Sequence, residues 1–229
     1  MLSHYNVQAG RSVERIAALS DGLFAIAMTL LLLELHLPEA RDVHTEAELW
    51  RALAAFAPSL AVSVMSFLTL GIFWVGQQSQ LAQLARADRD LTWIHIGFLF
   101  LVSILPLSTR LLIEFDTFRS ALAIYWLNIL LLGVALWFGW EHARRAELIR
   151  SEALAVTVAA NRRRILLAQA LYAVGALISI VHVALAIAFI VGLQILYATA
   201  LDRYFRRPGA LPDAQANIGA GNNRIDTDT

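Results

Sequence analysis

The sequence of 229 residues contains no cysteine and no lysine, and charged residues make up only 16% of it. The absence of cysteine excludes disulfide bridges and metal sites built on thiolates. The 18 basic and 18 acidic residues balance to a net charge of zero, which argues against a nucleic-acid partner. All the basic residues are arginine, and with the abundant alanine and leucine this indicates a GC-rich bacterial genome.

Apolar residues make up 59% of the chain, and its mean hydropathy is +0.62. Soluble proteins are about 45–50% apolar, and a chain of 25.3 kDa is too small to bury such an excess inside itself. The first apolar run, Ile16–Leu37, is 22 residues long and follows a polar start without a secretory signal. At roughly 33 Å it can cross a bilayer. The composition therefore predicts an integral membrane protein.

Apolar runs bounded by charged residues predict an all-α membrane protein with six transmembrane helices. The run Ile165–Leu201 has 37 residues and would make a straight helix of about 55 Å, so we divide it at a turn near Ser179–His182. The polar residues 208–229 are predicted to form a disordered cytoplasmic tail after a channel domain of residues 1–207. The six predicted spans are 16–37, 53–75, 91–112, 121–140, 165–180 and 182–201.

The distribution of arginine predicts the orientation. With the amino terminus in the cytoplasm, the inner segments up to Arg207 hold thirteen arginines and the outer segments four. This bias is typical of the cytoplasmic side. The arginines after the last span place the carboxyl terminus in the cytoplasm too, which requires an even number of spans. We therefore expect a multi-pass protein of the bacterial inner membrane.

The outer segments are acidic, beginning with Glu34 at the end of the first span. Such a surface either concentrates cations near an outer mouth or is an ordinary solvated loop. The sequence leaves both interpretations open.

The first span carries an aspartate, Asp21, one turn inside the apolar run. A charge at the centre of a membrane helix costs about 2.5–3.5 kcal/mol, so Asp21 should face protein or water. Polar residues at the same level on the second and third spans predict a buried network. It serves either to pack the helices together or to act directly in gating or ion coordination. Its predicted members are Arg15, Ser20, Asp21, Trp74, Gln77 and His95.

Further along the first span, Ile26, Leu30 and Leu33 recur at helical spacing and form one stripe, with Thr29 beside it. In most membrane helices such a stripe contacts lipid or the protein core. If the helix instead lined a symmetric pore, the stripe would form stacked apolar rings that control permeation.

The segment Arg15-x-x-x-Leu-Ser20-Asp21 resembles the Arg-x-x-x-Phe-Ser-Asp signature that opens the first helix of the transmembrane-protein-175 potassium channels. Leu-Pro106-Leu-Ser-Thr109 is similar to that family's Leu-Pro-Phe-Pro-Thr segment. The resemblance covers most of Arg15–Arg207 and is most specific in the first helix.

The resemblance implies a homotetramer in which the first helix of each subunit lines a passive, potassium-preferring cation pore. Ile26, Leu30 and Leu33 would form the constriction, and Thr29 would be the polar residue associated with potassium preference. Arg15, Ser20 and Asp21 would hold the first helix in place. The expected partners are other copies of the chain and the lipid bilayer, and no cofactor is expected beyond the permeant K⁺.

Three positions depart from the family pattern. Leu19 replaces the signature phenylalanine, Gln77 and Gln78 stand where the family has two histidines, and His95 stands where it has asparagine. One hypothesis is an exchange that moves an imidazole from the second helix to the third, which would alter the pH sensitivity of the network.

Two other classes of function remain as alternatives. A coupled transporter would show inverted repeats or interrupted helices, and the sequence shows neither. A membrane-embedded enzyme would need converging catalytic groups, and the sequence has neither a nucleophile elbow nor a His-Glu-x-x-His motif. We therefore expect a channel and not an enzyme.

Overall fold

The computed structural model describes residues 2–36, 43–116 and 118–150, and later in the chain residues 170, 173–175, 177–178, 185–186 and 188–196. The chain divides into two compact units, Met1–Gln194 and Ile195–Thr229. Of the second unit only Ile195 and Leu196 are described, and both are helical. The architecture below is that of the first unit.

Four long helices make up most of the described chain, and each is long and apolar enough to cross a membrane. They confirm the prediction of an all-helical membrane protein, whereas the number of six crossings stays a prediction. In α1, the part that qualifies as a span is Val13–Leu33. The helices are α1 (Leu2–Leu33), α2 (Glu46–Leu81), α3 (Arg89–Glu114) and α4 (Arg119–Arg145).

The helices extend beyond most of the predicted spans, because charged residues mark the edge of the lipid and not the end of a helix. The α2 helix begins at Glu46, seven residues before the predicted span, and Thr45 caps it. Thr45 accepts a hydrogen bond from the Glu48 backbone, and the Glu48 carboxylate accepts one from the Thr45 backbone. Asp88 caps α3 in a similar way, since its carboxylate accepts from Leu91 N at 2.7 Å. By contrast, α1 ends at Leu33 and not at the predicted Leu37.

The turn at Ser179–His182 and the tail 208–229 lie outside the described residues, and the predicted fifth and sixth spans are described only in part. The described pieces on either side of that turn are helical. A methyl group added at Gly175 would lie 2.6 Å from Ile190 Cδ1. In one straight helix these residues would be about 22 Å apart. The two helical pieces therefore pack side by side, and Gly175 permits their close approach.

Helices that follow one another along the chain run antiparallel, so the end of one helix lies beside the start of the next. At one end, which we call the Asp88 end, the end of α2 and the start of α3 meet the end of α4. Antiparallel bridging joins the loops there, with Ala85 N donating to Leu148 O at 2.8 Å and Arg150 N donating to Gln83 O at 3.0 Å. The opposite end, where α1 and α3 finish, is called the Glu34 end.

The core has two parts. The larger lies between the helices and is built from aromatic and aliphatic side chains such as Phe24, Leu70, Phe98 and Leu132. The smaller lies at the Asp88 end and seals it, and α1 contributes to it through Ile16. Its members are Ile16, Leu81, Leu84, Ala87, Leu91, Trp140, Ala143, Leu148 and Ile149.

Pro106 interrupts the backbone hydrogen bonds of α3, because proline has no N–H to donate to the preceding turn. The Asn128 side chain of α4 inserts beside this gap. With its carboxamide oriented to satisfy its neighbours, the nitrogen donates to Leu101 O and the oxygen accepts from Leu105 N, both at 3.2 Å. Asn128 therefore adds hydrogen bonds to the backbone of α3 in the turn before Pro106 and fastens α4 to it.

Replacing Asn128 by leucine should lower the free energy of unfolding by about 1–3 kcal/mol, because it strips hydrogen bonds from buried backbone groups. SDS titration of the purified protein in detergent measures the change. Leu130→Ala is the control, since Leu130 is 50% exposed on the same helix. Unchanged unfolding of the leucine variant would show that α3 satisfies its own backbone around Pro106.

Candidate pore helix and its polar network

The α1 helix has one face that packs against α2 and α3. Ile16, Ser20, Phe24, Ala27 and Leu31 follow helical spacing along this face and are at most 6% exposed. Phe24 meets Phe98 of α3 with a distance of 6.0 Å between the ring centroids. This face anchors α1 in the subunit.

The predicted pore residues lie on the other side of α1. The side chains of Ile26, Leu30 and Leu33 are 56%, 39% and 77% exposed, so none of the three is needed for packing within the subunit. Thr29 is exposed beside them, and its hydroxyl donates to Ile26 O at 2.8 Å. Because the hydroxyl hydrogen is engaged by the helix backbone, the oxygen lone pairs are left to accept from outside.

The exposed face of α1 differs chemically from that of α4. Between residues 121 and 140 of α4 the exposed side chains are all apolar, including Ile124, Leu127 and Phe138, as expected for contact with lipid. On α1 the exposed face also carries Asp21 and Thr29. A carboxylate facing hydrocarbon is costly, so this face is suited to water or to another subunit.

Asp21 is held by two donors from α2. Trp74 Nε1 and Gln78 Nε2 donate to the same carboxylate oxygen, Asp21 Oδ1, at 2.7 and 2.6 Å. Trp74 and Gln78 are four residues apart and therefore share one face of α2. The sequence placed Trp74 in the network, but Gln78 was not among its predicted members.

A second contact between α1 and α2 lies deeper. The Gln77 carboxamide nitrogen donates to Ser20 Oγ at 2.9 Å, and Ser20 Oγ donates to Ile16 O at 2.8 Å. Both side chains are completely buried. Gln77 and Gln78 thus bind adjacent residues of α1, one inside the subunit and one at its surface.

The other two predicted members, Arg15 and His95, are not joined to this network by hydrogen bonds. His95 is 5% exposed, its Nδ1 pairs with Leu91 O of its own helix at 2.9 Å, and its Nε2 has no partner among the described residues. Arg15 is exposed and makes no recorded ion pair there. Both instead line a cavity of about 360 Å³ between α1 and α3. The hypothesis of an exchanged imidazole gains no support from this geometry.

At the Glu34 end, α1 is tied to α3 by an ion pair. Arg110 Nη1 lies 3.1 Å from Glu34 Oε2, and Arg110 Nε donates to Glu114 Oε1 at 2.8 Å. The predicted acid of the outer mouth therefore has a cationic partner. Within the described part of the chain, no group of three or more histidine or acidic side chains is placed to hold a metal ion.

A family model described as the endosomal/lysosomal potassium channel TMEM175 matches residues 15–106. This range contains every predicted site residue from Arg15 to His95. The chain belongs to the TMEM175 family. Because this is a channel family, the prediction that the chain is not an enzyme is confirmed.

Relatives in this family include bacterial and animal channels. A potassium channel of Streptomyces collinus is 37% identical over 57% of this chain and 64% of its own length. An endosomal/lysosomal proton channel TMEM175 of Gallus gallus is 33% identical over 45% of this chain and 22% of its own. The chain thus spans less than two thirds of either relative.

The fold also has a solved counterpart. The crystal structure of a lysosomal potassium-selective channel TMEM175 homolog from Chamaesiphon minutus superposes with a TM-score of 0.69 and 29% identity. The match covers 83% of this chain and 98% of that one. It therefore extends well beyond the range of the family model.

The bond between Trp74 and Asp21 should contribute a coupling energy of about 0.5–1.5 kcal/mol in a double-mutant cycle of Trp74→Phe with Asp21→Ala. Free energies of unfolding of the four proteins in detergent supply the cycle. The matched control is Trp93→Phe, because Trp93 is 60% exposed on α3. If the coupling energy between Trp74 and Asp21 were no larger than that between Trp93 and Asp21, the Asp21 carboxylate would be hydrogen-bonded by water and not by Trp74.

Proposed function

We propose that this chain is a passive, potassium-preferring cation channel, a homotetramer in which α1 of each subunit lines the pore. The potassium channel from Streptomyces collinus and the potassium-selective channel from Chamaesiphon minutus support this assignment by their names and similarity. The observation that carries it is the free face of α1, where Ile26, Leu30 and Leu33 are exposed while the opposite face is buried.

In this proposal the three apolar side chains form the constriction. Four copies of each would make successive rings around the axis, and a ring of this kind limits conduction through its width and through loss of water from the bore. Ile26 comes first along α1 and Leu33 is its last helical residue, so the constriction occupies the half of the span nearer the Glu34 end.

Thr29 supplies the polar group of the pore. Its hydroxyl hydrogen is directed to Ile26 O, so its lone pairs can replace part of the hydration shell of a passing cation. Four hydroxyls at one level would favour K⁺, which dehydrates more readily than Na⁺. Potassium is the permeant ion here and no further cofactor is required.

A single subunit cannot enclose an ion path, because the exposed face of its α1 helix lines only one side of such a path. Closed rotational symmetry brings identical faces together around an axis, and four copies is the number we propose. The excess of arginine in the segments at the Asp88 end supports the proposal that this end and both termini face the cytoplasm of a bacterial cell. Glu34 then lies at the outer mouth.

Flux in liposomes tests the proposal. The purified chain with an outward K⁺ gradient should conduct without any coupling ion, and Ile26→Ala should raise the cation flux about twofold or more by widening the apolar ring. Ile124→Ala is the matched control, because Ile124 is 48% exposed on α4 and should leave the flux unchanged.

The outcomes separate the alternatives. No flux from the wild-type chain would refute the channel, and flux that requires a second ion would indicate a coupled transporter. Equal effects at Ile26 and Ile124 would locate the pore away from α1.

Ion preference tests Thr29 separately. Thr29→Val keeps the shape but removes the hydroxyl, and it should lower the K⁺ over Na⁺ permeability ratio by about threefold or more. Thr29→Ser keeps the hydroxyl and should retain the preference. Reversal potentials under bi-ionic conditions measure the ratio, and a valine variant with wild-type selectivity would remove Thr29 from the mechanism.

A further inference from the structure

Arg110 of α3 contacts two carboxylates at the Glu34 end. Its guanidinium Nη1 reaches Glu34 at the end of α1 at 3.1 Å, while its Nε donates to Glu114 one turn further along α3 at 2.8 Å. The side chains of Glu34, Arg110 and Glu114 are 31%, 44% and 48% exposed. This triad is partly open to solvent and carries a net charge of minus one.

The triad lies next to the end of the proposed pore. Glu34 follows directly after Leu33, whose side chain is the most exposed of the apolar stripe. The Glu34 N–H still donates to Leu30 O at 3.0 Å, so Glu34 continues the last turn of α1. A cation approaching Leu33 from this end passes the triad.

We propose that Arg110 limits cation access to the pore by neutralising part of the negative charge around Glu34. This inference rests on the proposed function, because it requires α1 to line a cation path. Arg110 is a positioning residue: it contacts Glu34, and it acts on the ion through the charge and the direction of that carboxylate.

The size of the effect follows from the charge of the assembled mouth. Each subunit contributes one net negative charge. Replacing Arg110 by a neutral residue makes this two negative charges, and replacing Glu34 by a neutral residue makes it zero. With four subunits, either change alters the mouth by four charges. Such a potential changes the local concentration of K⁺ at low ionic strength and is screened within about 3 Å at 1 M salt.

A purely structural role for the triad makes a different prediction. If Arg110 only fastened α1 to α3, its removal would change stability or current equally at all salt concentrations. Exposed ion pairs contribute little to stability, about 0–1 kcal/mol, so the variants should fold. The dependence of conductance on salt therefore separates an electrostatic role from a structural one.

The experiment compares Arg110→Gln, Glu34→Gln and the double variant as intact channels in planar bilayers. At about 10 mM K⁺, where the screening length is about 30 Å, Arg110→Gln should raise conductance about twofold or more and Glu34→Gln should lower it by a similar factor. The double variant, which has the wild-type net charge, should fall between the single variants. At 1 M K⁺ all of them should converge.

Arg119→Gln is the matched control. Arg119 is exposed at the start of α4 at the same end of the bundle, but it makes no ion pair with the end of α1 among the described residues. Its loss should leave the low-salt conductance close to wild type, so a gain equal to that of Arg110→Gln would overturn the proposal.

Two results have distinct meanings. If the wild-type chain conducts but Arg110→Gln changes current equally at 10 mM and 1 M K⁺, the charge role of Arg110 is wrong and the channel assignment stands. If the wild-type chain does not conduct, the proposed function itself fails.

Discussion

The rotation of α1 about its own axis depends on the bonds that Asp21 and Ser20 make with α2. Apolar burial alone does not select a face, because Ile26 and Leu33 are as apolar as Phe24 and Leu31. In lipid the helix also gains little from hiding apolar groups, since hydrocarbon surrounds it anyway. The donors on α2 therefore decide which side of α1 is buried and which side is free.

The same principle holds the rest of the bundle in register. Buried hydroxyls meet where α2, α3 and α4 pack together: Ser66 Oγ lies 3.1 Å from the Tyr125 hydroxyl and accepts from Thr109 at 2.9 Å. Gln194, in a later helical piece, donates to Thr69 at 2.7 Å. Each of these contacts joins particular atoms at hydrogen-bond distance, so it sets the helix register more sharply than apolar packing does.

The sequence predicts the level of polar residues in the membrane but not their partners. Asp21 needed donors, and counting along the spans placed Trp74 at the right height. The donation by Gln78 could not be foreseen, because it depends on how α2 is rotated by the packing of the other helices. His95 lies at a suitable level too, yet its Nδ1 pairs with its own helix. The partner of Glu34, Arg110, belongs to another helix and depends on where α1 ends.

One face of α1 holds the fold together, and the opposite face forms the proposed pore. Polar contacts hold the helix at an interior position, through Asp21 to α2, and at its end, through Glu34 to α3. Phe24, Ala27 and Leu31 pack the stretch between these two contacts. None of these bonds uses an exposed side chain of the apolar stripe. Residues of the stripe can therefore change in size or polarity without a packing cost inside the subunit. Conduction and selectivity can vary on one face of α1 while the other face keeps the helix in place.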